Sequence, residues 1–332
     1  MTAAALDLSL FVEGNSLQRK QLAADLCGSL SRHGYVKLIN HGISDDGVAK
    51  LFDWNRQFFR MPTESKIRIV HRSGPDPQRG WSRVGEENSS RLYRKGILKI
   101  QDTEELSDAR EHFDFGAKTD LEFPNKWPNE TLMPGFRVDM EDAFEKLEQT
   151  SAYILEALEV ALNLPYGAFL DKVTHKGNAS EMRFNHYPAI DIKTIRAGKV
   201  GRIWPHFDLG VITLLFQDRV GGLEFEDRER GGEFQRVESS TPSEMIVNIS
   251  ETLQRITHDV LPAGLHRVSV PSELADKEDG ILPERYSIAY FCKADRDACV
   301  GPLDQFVPKG TAQKYRDVTA GDYHKQRLLF AY

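Results

Sequence analysis

Two histidines and one aspartate form the pattern with the clearest chemistry in this chain. His206 and Asp208 lie two positions apart in a β-like run, so strand alternation points both side chains to one face. His266 begins another β-like run further along the chain. Two imidazoles and one carboxylate on one face suit a divalent iron ion and leave its other coordination positions open. We therefore predict that His206, Asp208 and His266 are the metal ligands and form the catalytic centre.

A His-x-Asp pair alone usually marks a surface pair or a structural hydrogen bond, so the surrounding sequence decides its meaning. Residues 213–218 read Thr-Leu-Leu-Phe-Gln-Asp, residues 221–223 read Gly-Gly-Leu and residues 266–268 read His-Arg-Val. Residues 285–287 read Arg-Tyr-Ser, and the N-terminal run 34–43 contains Gly-Tyr-Val and Asn-His-Gly-Ile. With these motifs, the sequence resembles the isopenicillin-N-synthase-like branch of the Fe(II)/2-oxoglutarate-dependent oxygenases over nearly the whole chain.

The resemblance implies a mainly β fold with flanking α structure. Its core would be a double-stranded β-helix (jelly-roll), supported by an N-terminal α/β module and a C-terminal helix. We expect a single compact oxygenase unit over residues 1–332. Its expected parts are an N-terminal α/β module with substrate loops (1–135), a supporting helix region (136–180), the jelly-roll catalytic core (181–295) and a C-terminal helical segment (296–332).

Periodicity and turn residues predict the elements that must position these side chains. The predicted helices cover residues 16–33, 45–59, about 135–162, and a tail from 311 to 329. The predicted strands cover residues 35–39, 182–188, 210–216, 222–225, 245–249, 266–270 and 286–291. Short strands at this spacing are typical of an antiparallel sandwich or barrel.

The resemblance also implies Fe(II) as cofactor, with 2-oxoglutarate and O2 as co-substrates. Asn185 and Tyr187 match an Asn-x-Tyr-Pro element whose side chains contact 2-oxoglutarate in the family. Arg285 suits the distal carboxylate, because a guanidinium forms two parallel hydrogen bonds with a carboxylate, and Ser287 lies on the same strand face. The implied reaction oxidises a C–H bond of a small molecule. Hydroxylation and its diversion to desaturation, cyclisation or ring expansion stay open.

Candidate substrate-binding residues combine positive charge and aromatic rings: Arg79, Trp81, Arg183, Phe207 and Phe291. Such a pocket favours a small aromatic or anionic molecule. The general character of the sequence favours a role in specialised metabolism. We expect Arg183 to face an anionic substrate, because no acidic residue lies at an inward position on its own strand. A carboxylate from another strand stays open as its partner.

Two other functions and one other ligand also fit parts of the sequence. A related oxidase would use no 2-oxoglutarate, and a catalytically silent jelly-roll would only bind a ligand. The four predicted 2-oxoglutarate residues argue against the first and the intact triad against the second. The family's Gly-Asp turn before the distal histidine is Ser250-Glu251 here, and His258 ranks below His266 as a ligand.

Composition limits the partners. The 332 residues carry a formal net charge of −7, and their basic residues are scattered, so we expect no nucleic-acid partner. No apolar run is long enough to cross a bilayer, so we expect no membrane partner. Three cysteines without metal-site spacing fit a reducing cytoplasmic location. The sequence leaves the oligomeric state open.

Overall fold

The computed structural model describes residues 4–72, 74, 76–87, 106–174 and 177–329. Its helices are α1 (Ser9–Val12), α2 (Ser16–His33), α3 (Asp45–Phe59), α4 (Thr63–Ile67), α5 (Phe136–Ala161), α6 (Ile192–Arg196), α7 (Glu251–Ile256) and α8 (Ala320–Leu328). The strands in the first part of the chain are β1 (Leu6–Asp7), β2 (Tyr35–Ile39), β3 (Gly80–Ser82), β4 (Ser107–Asp108), β5 (Glu111–Gly116) and β6 (Glu181–Tyr187). The later strands are β7 (Ile190–Asp191), β8 (Val200–Gly201), β9 (Ile203–His206), β10 (Ile212–Gln217), β11 (Leu223–Glu226), β12 (Phe234–Arg236), β13 (Met245–Ile249), β14 (His266–Val268), β15 (Ile281–Leu282) and β16 (Arg285–Cys292).

The larger sheet has eight strands in the order β1-β2-β13-β10-β16-β6-β5-β3. Its centre is antiparallel, with β16 between β10 and β6. Strands from the N-terminal part of the chain complete both ends, because β2 pairs with β13 and β5 pairs with β6. The sheet is therefore built from distant parts of the sequence.

The smaller sheet has four strands in the order β12-β11-β14-β9. Apolar side chains from both sheets pack together in one cluster that includes Tyr187 of the larger sheet and Ile203, Leu223 and Val268 of the smaller one. Two facing, mainly antiparallel sheets with helices outside confirm the predicted mainly β core with flanking α structure.

The helices pack around the larger sheet and bury its other face. Helix α5 lies against α2 and buries an apolar stripe that includes Phe136, Leu147 and Leu158. Helix α2 begins with a capping box between Asn15 and Gln18. It ends at Gly34, which has a left-handed backbone conformation that glycine adopts without strain. The predicted bounds of α2, β2, α3 and β13 agree with the structure.

The C-terminal helix is shorter than predicted. Residues 311–319 are not helical, and α8 begins only after Thr319, whose hydroxyl accepts a hydrogen bond from the backbone N–H of Asp322. The preceding segment is instead held by tertiary contacts, since the N–H of Lys314 donates to Nε2 of His258 at 3.0 Å. Apolar spacing alone did not reveal this anchoring.

Within the described residues, no helix has both the length and the apolar character that a bilayer-spanning segment needs. Cys27, Cys292 and Cys299 are free thiols.

Candidate active site

The three predicted metal ligands converge between the two sheets. His206 ends β9, Asp208 follows in the next loop, and His266 begins β14 directly opposite His206 in the strand register. One ligand atom from each residue lies within 4.8 Å of the others. Nε2 of His206 is 3.9 Å from the Asp208 carboxylate, and Nε2 of His266 is 3.8 Å from it. This spacing fits one ion held between three side chains.

Backbone contacts fix which nitrogen of each imidazole faces the site. Nδ1 of His206 lies 2.8 Å from the carbonyl oxygen of Trp204, and Nδ1 of His266 lies 3.0 Å from that of Gly264. Each Nδ1–H donates to a carbonyl, so both Nε2 atoms are left as acceptors. Burial, followed by the neighbouring His266 charge, lowers the pKa of His206 to about 3. That imidazole is neutral at pH 7, as metal binding requires.

The carboxylate of Asp208 is prepared in the same way. Burial opposes its ionisation, but His266, His206 and the Asn248 amide together lower its pKa below the ordinary value. Nδ2 of Asn248 donates to Oδ2 of Asp208 at 2.9 Å. Two neutral imidazoles and one carboxylate leave a bound divalent ion with residual positive charge. Such an ion attracts an anionic chelator.

The unusual Ser250-Glu251 turn supports the aspartate loop. Ser250 is the N-cap of α7, and the N–H of Glu251 donates to the carbonyl oxygen of Asp208 at 2.8 Å. The N–H of Thr252 donates to the carbonyl of Gly210 at 3.0 Å. The departure from the family's Gly-Asp turn thus leaves the loop anchored. His258 lies in a turn and bonds to Lys314, away from the triad.

A buried arginine marks one end of the cavity. Arg285 is 1% exposed, and its Nε and Nη2 donate to the Gly221 carbonyl at 2.8 Å and to Gln217 at 3.1 Å. Its Nη1 is buried and has no hydrogen-bond partner among the described residues. An unpaired N–H on a buried cation is costly unless a ligand accepts from it. The group therefore fits an incoming carboxylate.

The neighbouring side chains form a block around this arginine. In the pairing of β16 with β6, Arg285 lies opposite Tyr187 and Ser287 lies opposite Asn185. All four line the same cavity. The Arg285 guanidinium lies 4.8 Å from the centre of the Tyr187 ring, and Nδ2 of Asn185 lies 3.3 Å from Oγ of Ser287. The predicted alternation on both strands is confirmed.

Sequence reasoning missed a second arginine behind this block. Arg202 is 1% exposed, and its Nε and Nη1 are buried without a hydrogen-bond partner among the described residues. Burial, followed by the charge of Arg285, lowers the pKa of Arg202 to about 10, so it stays protonated at neutral pH. This end of the cavity is therefore cationic and suits a dicarboxylate.

The structure corrects the expectation for Arg183. Its side chain does line the cavity, but two protein carboxylates already neutralise it. Nε donates to Asp114 at 2.7 Å and Nη1 donates to Glu87 at 2.8 Å. Asp114 lies directly opposite Arg183 on β5, so the partner comes from the adjacent strand. The premise that this arginine lacks a protein partner is wrong, and with it the main argument for an anionic substrate.

Arg79 and Trp81 do not line the cavity. Arg79 is 3% exposed and pairs with Glu181 at 2.7 Å and with Asp120 at 2.8 Å. The indole N–H of Trp81 donates to Glu111 at 2.6 Å. Both belong to buried structural networks near β3, behind the cavity wall. Their assignment as substrate-binding residues is wrong, because β3 lies at the edge of the larger sheet, away from β16.

The rest of the wall combines rings, aliphatic side chains and paired charges. Phe207 and Phe291 line the cavity as predicted, beside Leu209 and Leu328. Leu328 comes from α8, which is held over the aspartate loop by a 3.1 Å contact between Nε2 of His324 and the Leu209 carbonyl. The cavity is partly open to solvent, and residues of both sheets and of α8 line it.

Two further polar residues of the wall, Arg110 and Glu87, were also missed. Arg110 donates to Asn185 at 3.0 Å and to Glu87 at 2.5 Å. Its position two residues before His112, which lies opposite Asn185, could have revealed it if the β5–β6 pairing had been known.

Known proteins share this architecture and these motifs. Residues 5–130 match the family described as non-haem dioxygenase in morphine synthesis N-terminal, and residues 179–294 match the 2OG-Fe(II) oxygenase superfamily. The chain is 46% identical to the 2-oxoglutarate-dependent dioxygenase phqC of Penicillium fellutanum, over 98% of this chain and 94% of that protein. This chain belongs to the 2OG-Fe(II) oxygenase superfamily. The oxygenase is also 46% identical to the 2-oxoglutarate-dependent dioxygenase ucsF of Acremonium sp, over 98% of each chain.

A solved structure supports the same assignment. The oxygenase superposes on a full-length Neurospora crassa protein, solved in complex with alpha-KG and thymine, with a TM-score of 0.84 and 28% identity. The match covers 99% of this chain and 96% of the Neurospora chain. The protein is therefore an enzyme that uses Fe(II), 2-oxoglutarate and O2, as predicted. These matches disfavour both the oxidase without 2-oxoglutarate and the silent jelly-roll.

Proposed function

We propose that this oxygenase hydroxylates a C–H bond of a small, uncharged, planar molecule that carries hydrogen-bonding groups. His206, Asp208 and His266 would hold the iron, and Asn185, Tyr187, Arg285 and Ser287 would hold 2-oxoglutarate. Iron(II) with 2-oxoglutarate and O2 supplies the oxidising power, while the co-substrate loses CO2 and becomes succinate.

The protein's own groups divide the work of positioning. Arg285 would receive the distal carboxylate through its unpaired Nη1, and the Ser287 hydroxyl would add a second donor. The ring of Tyr187 packs against the guanidinium and excludes water from it. Asn248 and the Trp204 and Gly264 carbonyls hold the three ligands in their metal-binding orientation. These contacts support hydrogen abstraction at a fixed point of the cavity.

The observation that carries the substrate class is the neutralisation of Arg183 by Asp114 and Glu87. Among the described residues, Arg110 shares the Glu87 carboxylate with Arg183, and Lys293 contacts Glu181. A substrate carboxylate here would compete with protein carboxylates already in place. An uncharged molecule with amide-like N–H and C=O groups can instead bond to these paired side chains without disturbing their charge balance.

Aromatic and aliphatic side chains support a flat substrate. The Phe291 ring lies 5.5 Å from the Arg183 guanidinium, and Phe207 lies beside the triad. Planar rings stack well on such surfaces. The Neurospora crassa protein, which shares this fold, binds thymine in one structure and 5-formyluracil in another, both uncharged planar molecules.

We place the reaction in specialised metabolism, supported by the similarity to the Penicillium and Acremonium dioxygenases. We place the protein in the cytoplasm, supported by three free cysteines. A desaturation, cyclisation or ring-expansion outcome remains compatible with the same site.

The test compares matched uncharged and anionic molecules. Purified protein is first given Fe(II) and 2-oxoglutarate without O2, and the weak visible charge-transfer band confirms the assembled site. O2 is then added with pairs such as thymine and 5-methylorotate, which differ only by a carboxylate at C6, together with uncharged lactams and their acids. We expect uncharged members to accelerate succinate formation and to gain one oxygen atom. Consistent preference for the carboxylates would overturn the proposed substrate class.

A further inference from the structure

Arg110 connects the two halves of the cavity through hydrogen bonds that run in sequence. It lies just before β5, is 7% exposed and lines the cavity. Nη1 donates to Oδ1 of Asn185 at 3.0 Å, and Nη2 donates to Oε2 of Glu87 at 2.5 Å. Asn185 in turn donates from Nδ2 to Oγ of Ser287 at 3.3 Å. The chain therefore runs from Glu87, on the substrate wall, to Ser287, at the co-substrate end.

The chemistry of arginine decides the orientation of the Asn185 amide. The two ends of an asparagine side chain are similar in shape, so only hydrogen-bond partners distinguish them. A guanidinium can only donate, so the carbonyl oxygen of Asn185 must face Arg110. The NH2 group must then face Ser287 and the co-substrate pocket. One of its hydrogens bonds to Ser287, which leaves the other to donate to a carboxylate oxygen.

The opposite orientation would be unfavourable for the co-substrate. A flipped amide would place its carbonyl oxygen against the carboxylate of 2-oxoglutarate and would remove a donor from the pocket. A buried acceptor facing another acceptor costs the desolvation of both groups. A cation fixed beside Asn185 prevents this flip before any ligand arrives, because Glu87 holds the second arm of the guanidinium.

We infer that Arg110 is a positioning residue that fixes the Asn185 amide with its NH2 toward 2-oxoglutarate and ties this orientation to the substrate wall through Glu87. The inference rests on the proposed co-substrate role of Asn185. Arg110 acts through Asn185 rather than by touching the reacting atoms. Its loss should therefore weaken 2-oxoglutarate binding while the metal site stays intact.

The test measures the dissociation constant of 2-oxoglutarate anaerobically, in Fe(II)-loaded protein, without any primary substrate. We expect Arg110→Gln to raise this constant about tenfold, as the loss of one oriented hydrogen-bond donor predicts. Arg110→Lys, which keeps the charge but cannot bridge Asn185 and Glu87 at once, should fall between the glutamine variant and the wild type. Iron content should match that of the wild type in both.

A double-mutant cycle separates positioning from independent effects. If Arg110 acts through Asn185, then Arg110→Gln should change the dissociation constant little in an Asn185→Ala background. Fully additive effects of the two changes would overturn the inference. An unchanged constant in Arg110→Gln would overturn it as well. If Arg110→Gln does not fold, the cycle is run with Arg110→Lys, and additivity has the same meaning.

Arg19→Gln provides the matched control for lost stability. Arg19 is a half-buried arginine of α2 that donates to the Phe11 carbonyl at 2.5 Å and to Glu156 of α5 at 2.9 Å, and it does not line the cavity. This variant should lower the unfolding temperature without changing the 2-oxoglutarate constant. Measurements on the wild-type protein distinguish failure of the proposed function from failure of this inference. Absence of metal-dependent 2-oxoglutarate binding in it would defeat the proposed function, whereas normal wild-type binding with an unaffected Arg110 variant would defeat only this inference.

Discussion

Two buried arginines on adjacent strands of the larger sheet face the same cavity but have opposite surroundings. Within the described residues, Arg285 on β16 bonds to a backbone carbonyl and an amide oxygen and keeps an unpaired Nη1. Arg183 on β6 is held by the carboxylates of Asp114 and Glu87. Arg285 can therefore donate a hydrogen bond to a ligand, whereas the charge of Arg183 is already balanced by protein carboxylates. An arginine that binds a ligand is therefore distinguished by a donor atom that has no protein partner. Its position on a strand does not predict whether such a donor is present.

The difference extends to the two ends of the cavity. At the metal and co-substrate end, the triad and Arg285 line the cavity with polar atoms that are available to a ligand. On the substrate wall, the charged side chains that the structure describes form ion pairs with one another. Groups at the first end should matter for binding and little for folding, whereas those on the wall should matter for folding as well.

The largest effect should come from the triad itself. His266→Ala removes one of three iron ligands, so we expect the protein to lose iron and all 2-oxoglutarate turnover. His258→Ala is the control, because His258 bonds to Lys314 away from the site and should leave iron content unchanged. Iron is measured after anaerobic reconstitution and desalting. Full iron occupancy in His266→Ala, or its loss in His258→Ala, would show that the distal ligand is misassigned.

The next effect should fall on the prepared arginine. Arg285→Gln removes charge-assisted hydrogen bonds to the distal carboxylate, which should weaken 2-oxoglutarate binding by about 3 kcal/mol. Iron binding should persist, and the free energy of unfolding should change little. Anaerobic 2-oxoglutarate titration and denaturant unfolding measure the two quantities. Unchanged 2-oxoglutarate affinity would remove the distinction between the two arginines.

Arg183 should show the reverse pattern. Arg183→Gln leaves Asp114 without its cationic partner, so we expect the free energy of unfolding to fall by about 2 kcal/mol. Affinity for 2-oxoglutarate should stay near that of the wild type. A variant with unchanged stability and abolished substrate binding would show instead that Arg183 binds an anionic substrate.

The same substitution has a pH signature. Burial raises the pKa of Asp114 to about 6 in the wild type, although Arg183 opposes the rise. Without Arg183 the pKa of Asp114 should rise further, and the folded protein should take up a proton more readily. The loss of stability should therefore be smaller at pH 5 than at pH 8. Unfolding curves at both pH values measure it, and a larger loss at pH 5 would contradict the assigned pairing.

The smallest effect should come from the apolar part of the wall. Phe291→Leu keeps an apolar side chain but removes the ring that a planar substrate would stack on, so KM for the substrate found in the paired screen should rise severalfold, equivalent to about 1 kcal/mol. Iron content, 2-oxoglutarate affinity and stability should not change. A matched Leu328→Ala variant tests the aliphatic side of the same wall. Equal KM values in the wild type and Phe291→Leu would exclude stacking at this ring.

Local pattern predicted the residues whose roles depend on their own strand. Alternation placed Arg285 with Ser287 and Asn185 with Tyr187, and both pairs line the cavity. The triad followed from motif spacing and family resemblance. Helix bounds such as 16–33 followed from apolar spacing and a terminal glycine, which are local signals, and the structure adds a capping box at the start of this helix.

The errors arose where pairing between distant segments decides the environment. Asp114 neutralises Arg183 because β5 lies beside β6, a pairing that neither strand specifies alone. Arg79 pairs with Glu181 of β6, which lies 102 positions further along the chain. Arg110 and Arg202 carry no motif, and only the folded chain places them near Asn185 and Arg285. Sequence periodicity predicts which face of the sheet a side chain occupies, but it does not predict which strand lies alongside.

The attachment of α8 has an evolutionary consequence. Its Leu328 supplies part of the cavity wall, while the helix lies outside both sheets and is held by side-chain contacts such as the one from His324 to the Leu209 carbonyl. The iron ligands, by contrast, are set by the pairing of β9 with β14. Mutation of the terminal helix can therefore reshape the wall without altering strand register. The part of the wall that Leu328 supplies can change while the iron ligands stay fixed, so substitutions in α8 can alter substrate selectivity without loss of the reaction.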